Sequence, residues 1–273
     1  MGFLFEHQGA VFDGVSAGTG KGIVFLHCGV ADYRQWNAQV KFFKNEYKAI
    51  AYSRRGYGDT KHDDRAFSEV DDLIALLDHF EIEQAALVGN SLGGGLAIDM
   101  AFAHPDRVSL ISILGSSVTG DDGSWYDDAN DPEEVSEFLN LWRSVQSSGS
   151  LEEKLAIDVQ AWVNGPATAN DRVSSALQAL FKDMDRKRHE TVKPTKEAIP
   201  APAFDRLSDL DLPVQAICGK LDLPYMVALH KRFESMILNV ESHYIPDCAH
   251  LPAFEKPELV NEMIAEFLGR SLW

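Results

Sequence analysis

The chain has 273 residues, of which 45% are hydrophobic, enough to bury the core of one domain that carries an insertion. Its 25 basic and 42 acidic side chains give a formal charge of −17, which argues against nucleic acid or an anionic membrane surface as a partner. No stretch approaches the roughly 18 consecutive apolar residues of a membrane span, and the N-terminus lacks the basic start and long apolar core of a signal peptide.

The first 115 residues alternate between patterns typical of strands and patterns typical of helices. Short apolar or β-branched runs bounded by turn residues predict strands, the first two of them as a hairpin around Gln8 and Gly9. Apolar residues at helical spacing predict helices at 34–44 and 68–80. Such alternation predicts a mostly parallel sheet with helices on both faces. The predicted strands lie at 3–6, 10–13, 22–27, 47–52, 85–88 and 109–114.

The alternation stops after residue 115 and resumes at about residue 212. The intervening stretch, 116–211, carries apolar residues at helical spacing and predicts a helical cap inserted into the sheet domain. The sheet domain then consists of 1–115 and 212–273. The elements predicted after the insertion are strands at 213–218 and 240–245, a helix at 225–236 and a last helix that begins at Pro257.

The segment Gly89-Asn90-Ser91-Leu92-Gly93 is a G-x-S-x-G motif between a predicted strand and a helical run. In that setting the serine occupies a sharp, strained turn, with its hydroxyl exposed at a helix N-terminus. The turn is so tight that the residues two before and two after the serine must be nearly free of side chain, a need that Gly89 and Gly93 meet. Ser91 is therefore predicted to be a nucleophile.

A serine hydroxyl needs a base to take its proton, and the base needs a third group to orient it. Asp222 and His250 each follow a predicted strand directly. Because loops after parallel strands converge on one edge of the sheet, Ser91, Asp222 and His250 are predicted to form a catalytic triad there. Taken singly, Asp222 is better interpreted as a turn residue and His250 as a hydrogen-bonded loop histidine. Asp121 or Asp122, after the preceding strand, is the rival for the acid.

Acyl transfer also needs two N–H donors for the oxyanion, one from the residue after the nucleophile and one from the loop after the third strand. Leu92 supplies the first. Gly29 is predicted to supply the second, because glycine allows the backbone to approach a substrate closely. His27, in the same loop, is interpreted as a brace for that loop and not as a second base.

Together these segments resemble the α/β-hydrolase superfamily nearly end to end. The resemblance implies an α/β fold with a mostly parallel central sheet, flanking helices and an inserted helical cap. Two positions depart from the pattern of similar members, which carry glycine or alanine at Cys28 and often aspartate at Ser53. The Cys28 thiol is expected to narrow the pocket. The matching segments are Leu26-His27-Cys28-Gly29, Tyr52-Ser53-Arg54-Arg55-Gly56-Tyr57-Gly58, the serine motif, Gly219-x-x-Asp222 and Ala249-His250-Leu251-Pro252.

The resemblance implies a serine hydrolase of small neutral carboxylic esters or lactones, with an acyl-enzyme on Ser91. A serine nucleophile argues against haloalkane dehalogenases and epoxide hydrolases, relatives that use aspartate there. Two alternatives stay open: carbon–carbon bond hydrolysis of the meta-cleavage type by the same triad, and a ligand-binding signalling protein with slow or vestigial turnover. Members of the meta-cleavage type usually carry a Ser-Gly-Pro-Gly-like stretch after the oxyanion histidine, which this chain lacks after His27.

The predicted cap holds three of the five tryptophans, Trp125, Trp142 and Trp162. With Cys28 they are predicted to line an apolar substrate pocket, although aromatic residues that only pack the cap onto the sheet would give the same pattern. Residues 121–134 hold seven acids and no base, but their spacing lacks the loop glycine of a calcium site, so no metal is expected.

No cofactor is expected either. The odd number of cysteines, three, does not make a disulfide framework and favours a reducing cytoplasm. There the chain is expected to act as a monomer or homodimer.

Overall fold

The computed structural model describes residues 1–271. Its strands are β1 (Gly2–His7), β2 (Ala10–Ala17), β3 (Gly22–Leu26), β4 (Lys48–Tyr52), β5 (Lys61–His62), β6 (Ala85–Asn90), β7 (Val108–Leu114), β8 (Val214–Gly219) and β9 (Val240–Ile245). Its helices are α1 (Asn37–Phe43), α2 (Glu69–His79), α3 (Leu92–Ala103), α4 (Glu133–Ser148), α5 (Leu151–Asp158), α6 (Ser175–Glu190), α7 (Pro224–Met236), α8 (Pro252–Glu255) and α9 (Pro257–Arg270). The predicted mostly parallel sheet with flanking helices is confirmed.

The strands form one sheet in the order β1-β2-β4-β3-β6-β7-β8-β9, with β5 paired to β2. The pairs β1–β2, β2–β4 and β2–β5 are antiparallel. The pairs β4–β3, β3–β6, β6–β7, β7–β8 and β8–β9 are parallel. The predicted hairpin turns at Gln8 and Gly9, both with positive φ, 40° and 71°. Positive φ at both central residues matches the right-handed twist of the flanking strands.

Helices cover both faces of the sheet because the parallel strands are apolar on both faces. One buried cluster includes Leu73 of α2, Ile98 of α3 and Phe233 of α7. The cluster on the other face includes Phe25 with Trp36, and Ile264 of α9. Two elements, β5 and α8, were not predicted from the sequence. They are two and four residues long, too short to show a periodic pattern.

Between β7 and β8 the chain forms helices α4, α5 and α6, so the predicted helical insertion is confirmed. Its boundaries at residues 116 and 211 stay a prediction. A π-helical turn, Val159–Asn164, continues α5. A single bridge, from Glu197 to Phe67, is the strand-like pairing that this stretch makes within residues 1–271. No helix in the described part of the chain is long and apolar enough to cross a membrane.

Candidate active site

Ser91 occupies a strained turn between β6 and α3. Its backbone angles, φ 54° and ψ −118°, lie in a region that side-chain-bearing residues rarely adopt. A Cβ on Gly89 would lie 2.2 Å from the carbonyl oxygen of Gly93, and a Cβ on Gly93 would lie 2.1 Å from that of Leu26. Both positions therefore exclude any larger residue, and the neighbouring chain holds the serine at the start of α3.

Asp222 and His250 form a buried pair at the carboxyl end of the sheet. Asp222 follows β8, and His250 follows β9. Nδ1 of His250 lies 2.8 Å from Oδ2 and 3.0 Å from Oδ1 of Asp222. Oδ1 also accepts the N–H of Leu223 at 2.7 Å. Both carboxylate oxygens are thus engaged, and the imidazole is oriented through one nitrogen only.

Gly115, directly after β7, lies against this pair and was not predicted as a site residue. A Cβ there would come within 3.2 Å of Oδ2 of Asp222 and 3.3 Å of Nδ1 of His250. Its φ of +46° also favours glycine. The signal in the sequence was that Gly115 directly follows a predicted strand, as the serine motif also does. Gly115 leaves the space in which the two side chains meet.

A chain of buried side-chain amides runs behind the serine. Nε2 of Gln35 donates to Oδ1 of Asn90 at 2.6 Å, and Oε1 of Gln35 accepts the N–H of Cys28 at 3.1 Å. Nδ2 of Asn90 donates to the carbonyl oxygens of Leu114 at 2.7 Å and His250 at 3.1 Å. This amide chain connects the loop after β3, the serine turn, the end of β7 and the histidine loop. It places Ser91 and His250 in one site.

The loop after β3 lies beside the serine turn. A Cβ on Gly29 would lie 2.7 Å from a methyl carbon of Leu92, so the two predicted oxyanion donors are neighbours. Within residues 1–271 neither the Gly29 nor the Leu92 N–H donates a hydrogen bond. The N–H of Cys28 is taken by the amide chain, whereas the N–H of Gly29 is available as a donor.

His27 is held on both ring nitrogens. Nε2 accepts the N–H of Arg54 at 3.0 Å, and Nδ1 lies 2.7 Å from the carbonyl oxygen of Cys28. Burial and the nearby Arg54 guanidinium lower the pKa of His27 well below its usual range. Burial raises the pKa of the Cys28 thiol to about 12. Neither side chain is therefore suited to act as base or nucleophile at neutral pH.

The π-helical turn after α5 covers His250. The ring of Trp162 lies 4.8 Å from the imidazole, and Trp142 meets Trp162 edge-on at 6.0 Å. Trp162 and Cys28 belong to one apolar cluster between the sheet and the insertion. Nε1 of Trp162 is buried and has no hydrogen-bond partner, whereas Nε1 of Trp142 donates to Asp158 at 2.7 Å. Trp162 is therefore beside the candidate base, and Trp142 lies one layer behind it.

Trp125 lies in a different aromatic cluster. Its ring stacks on Tyr225 at 5.5 Å and on Phe204 at 6.2 Å, and its Nε1 donates to Asp121 at 2.7 Å. No contact in the described part of the chain joins it to the triad residues, so its place in a substrate pocket stays a prediction. Asp121 also accepts from the hydroxyl of Tyr225, so each of its carboxylate oxygens has a partner other than His250.

Within residues 1–271, one group of histidine, cysteine, aspartate or glutamate side chains has ligand atoms close enough to hold a metal ion. The atoms of Asp158, Asp185 and His189 lie within 4.8 Å of one another. The guanidinium of Arg188 already donates to both carboxylates, from Nε to Asp185 at 2.6 Å and from Nη2 to Asp158 at 3.1 Å. Arg188 therefore supplies the positive charge that a metal ion would bring.

The arrangement contains the parts of an acyl-transfer site. Ser91 stands at a helix N-terminus, an oriented imidazole is nearby, and two N–H groups are unoccupied. No hydrogen bond joins the Ser91 hydroxyl to Nε2 of His250 in residues 1–271. Such contacts are often long before substrate binds.

Proteins with related sequences match nearly the whole chain. A 2-hydroxymuconate semialdehyde hydrolase of Pseudomonas sp. (strain CF600) is 23% identical over 270 residues, covering 93% of this chain and 89% of that protein. A pimeloyl-(acyl-carrier protein) methyl ester esterase of Vibrio vulnificus (strain CMCP6) is 24% identical over 254 residues, covering 93% of this chain and 96% of that protein.

The fold is shared with solved structures. The structure of an N-acyl homoserine lactone degrading enzyme superposes with a TM-score of 0.74 at 24% identity, covering 97% of this chain and 99% of that one. The model of the Alpha/beta hydrolase family matches residues 23–263, most of the chain. The chain therefore belongs to the α/β-hydrolase family.

Proposed function

We propose that the protein is a serine hydrolase of small, neutral carboxylic esters or lactones, with Ser91 as nucleophile, His250 as base and Asp222 as the group that orients it. One observation carries the proposal: a buried Asp222–His250 pair, 2.8 Å apart, is tied by Asn90 to a strained serine at a helix N-terminus. Buried ion pairs elsewhere brace loops, but this one leaves the second imidazole nitrogen unbonded.

The proposed reaction proceeds in two halves. Oγ of Ser91 attacks the carbonyl carbon while Nε2 of His250 takes the hydroxyl proton. The N–H groups of Gly29 and Leu92 stabilise the oxyanion, and the positive end of the α3 dipole adds to this effect. His250 then protonates the leaving alkoxide, and a water molecule activated by the same imidazole releases the acid from Ser91.

The preference for a neutral substrate rests on how the nearby arginines are paired. Arg172 contacts Glu255 at 2.5 Å, Arg188 contacts Asp158 and Asp185, and Arg54 contacts Glu69 at 2.7 Å. A substrate carboxylate would have to compete with these partners, and the net charge of −17 repels it at long range. We expect a higher kcat/KM for a neutral ester than for a matched carboxylate-bearing one, with a gap that narrows as salt rises.

Carbon–carbon bond hydrolysis is the second candidate. The 2-hydroxymuconate semialdehyde hydrolase covers 93% of this chain at 23% identity, and the same nucleophile and oxyanion donors would serve such a reaction. That substrate class carries a carboxylate, for which the paired arginines offer no unoccupied partner. The ester is therefore the first substrate to test, and a ring-cleavage dienoate the second.

The decisive experiment is a substrate panel run on the wild type and on Ser91→Ala. The panel contains p-nitrophenyl esters of graded chain length, lactones and a ring-cleavage dienoate. Ser91→Ala is expected to lower kcat by up to about 10⁶ and to abolish labelling by a fluorophosphonate. Ser208→Ala is the matched control, since Ser208 is exposed, lies far from the serine turn in the chain and bonds Asp209 at 3.4 Å.

Three results would contradict the proposal. Labelling that survives Ser91→Ala would move the nucleophile elsewhere. Turnover confined to the dienoate would favour carbon–carbon hydrolysis. Turnover far below about 1 per second on every substrate, the low end for enzymes, would favour the signalling alternative.

A further inference from the structure

A cavity of about 410 Å³ lies along α3, on the side of the serine turn that carries Leu92. Leu92, Gly95, Leu96 and Asp99 line it from one face of the helix, at the spacing i, i+3, i+4 and i+7. Seven residues of helix span about 10 Å. The near end is therefore beside the Leu92 oxyanion donor, and the far end is at Asp99.

Asp99 is buried at the far end with one carboxylate oxygen unused. The residue is only 7% exposed. Oδ2 accepts the Thr119 hydroxyl at 2.5 Å, while Oδ1 is buried and has no partner. A buried carboxylate oxygen without a donor is costly, so a ligand donor that reached it would be bound strongly.

Within residues 1–271 no lysine, arginine or histidine side chain forms an ion pair with Asp99. Two acids have charges that act on Asp99 unfavourably, Glu69 from α2 and Glu197 from the loop after α6. Burial, and after it the Glu69 charge, raises the pKa of Asp99 to about 6 against the hydrogen bond from Thr119. Arg54 and Lys193 also line the cavity, but neither side chain contacts the Asp99 carboxylate. Arg54 contacts Glu69, and Lys193 contacts the Tyr57 ring at 3.6 Å.

Tyr57 marks the near end, because its hydroxyl lies 3.8 Å from the position of a Cβ on Gly29. Cationic groups thus gather near the oxyanion loop, and an uncompensated acid stands about 10 Å away along the helix. This separation of charge favours one orientation of a ligand, with its positively charged end at Asp99.

We propose that this cavity is a substrate subsite that binds a primary ammonium group on one arm of the ester, with Asp99 as its acceptor. The proposal rests on the proposed ester hydrolysis, and it adds a preference for cationic over neutral arms. The ester carbonyl lies at Gly29 and Leu92, and the arm runs along α3 to Oδ1 of Asp99. The negative field of the chain favours the same sign of charge.

The test compares esters that differ only in the end of one arm. In the acyl series, p-nitrophenyl 6-aminohexanoate and 8-aminooctanoate are set against heptanoate and nonanoate. In the alcohol series, 6-aminohexyl acetate is set against heptyl acetate. The wild type is expected to prefer the ammonium ester by about tenfold to a hundredfold in kcat/KM in one series, the range for hydrogen bonds to charged groups.

Asp99→Asn is expected to bring that ratio close to one. The ratio compares two esters in the same variant, so a general loss of activity cancels. Asp106→Asn is the matched control, because it removes the same charge from an exposed residue just beyond α3 and should keep both the ratio and the basal activity. In the wild type the ratio should rise as pH passes about 6, where Asp99 ionises. In Asp99→Asn the rise between pH 5 and 6 should be lost, and a change near pH 7 should remain, where Glu197 and Lys193 of the same cavity titrate.

Two outcomes overturn the subsite: no ammonium preference in either series, or a preference that Asp106→Asn lowers as much as Asp99→Asn. Both presuppose that the wild type hydrolyses p-nitrophenyl acetate through Ser91. If it does not, the proposed function itself has failed. The acetate assay therefore separates the two failures.

Discussion

Two buried aspartates beside the serine turn differ in how their oxygens are used. Asp222, after β8, has both oxygens on Nδ1 of His250, and one of them also accepts the N–H of Leu223. Asp99, on α3, has one oxygen on Thr119 and the other without a partner. Burial is similar, 4% and 7% exposed, so depth does not distinguish the two sites.

These hydrogen-bond partners limit what each carboxylate can do. An acid whose oxygens are all engaged by the protein holds another side chain in place. An acid that is buried with one oxygen unpaired has lost its hydration without gaining a hydrogen bond in return. A ligand that donates a hydrogen bond to this oxygen would therefore bind more tightly. We therefore propose that Asp222 orients His250 and that Asp99 recognises a ligand, and each proposal can be tested.

The largest effect is expected at Asp222. Asp222→Asn should lower kcat for p-nitrophenyl acetate by about 10⁴, because an amide favours the wrong tautomer of His250. The unfolding midpoint should change little, since the amide is nearly isosteric. Asp121→Asn is the control and should keep full kcat, because the Asp121 carboxylate bonds Trp125 and Tyr225. Full activity in Asp222→Asn would reduce Asp222 to a turn residue.

The next effect is expected at Asn90. Asn90→Ala removes the amide that donates to the His250 carbonyl oxygen at 3.1 Å. The imidazole of His250 should then no longer be held in a fixed position relative to Ser91. We expect kcat to fall about tenfold to a hundredfold, with a smaller change in KM. Gln35→Leu breaks the same amide chain, so the double variant should lose less than the sum of the two. Additive losses, or unchanged fluorophosphonate labelling in Asn90→Ala, would leave the amide chain a purely structural feature.

A gain in stability is expected at Asp99. Its pKa is raised to about 6 in the folded protein, above the unfolded value of about 3.9, so folding favours the protonated form. The resulting stability is fully present below about pH 4 and is lost as pH rises through about 6. Asp99→Asn keeps an acceptor for Thr119 and should raise the free energy of unfolding by about 1–2 kcal/mol at pH 8, with little change at pH 4. Urea unfolding at pH 4 and pH 8 measures this difference. A lower free energy of unfolding for Asp99→Asn than for the wild type at pH 8 would contradict the view that Oδ1 of Asp99 is buried without a donor.

The smallest effect is expected at Trp162. Its Nε1 is buried without a partner beside His250, so an ester oxygen is the acceptor we expect for it. Trp162→Phe keeps the aromatic cover and removes the donor, which should lower kcat/KM about threefold to tenfold. Trp142→Phe should instead lower stability slightly, because it removes one of the two donors to Oδ1 of Asp158 and leaves Gln146 as the other. Equal kinetics in the wild type and Trp162→Phe would mean that the indole only covers the base.

Much of the fold was predictable because its signals are local. Apolar runs and helical spacing depend on neighbours within a few residues, so they predicted eight of the nine strands in order, all except the two-residue β5. The serine motif was equally readable, since the turn itself excludes side chains at Gly89 and Gly93. The candidate acid and base could be named because each directly follows a strand whose end lies at one edge of the sheet.

Partnerships between distant side chains could not be predicted in this way. That His250 meets Asp222 and not Asp121, that Trp162 and not Trp125 lies beside it, and that Asn90 bonds the histidine loop all depend on how separate elements pack. The unpaired oxygen of Asp99 is of the same kind, since only the surrounding structure decides which buried polar atoms find a donor. Local sequence patterns were thus enough to predict the order of elements and to name the candidate chemical groups. Which of these groups touch depends on the packing of separate elements, because hydrogen bonds act over about 3 Å and local patterns do not fix distances between elements.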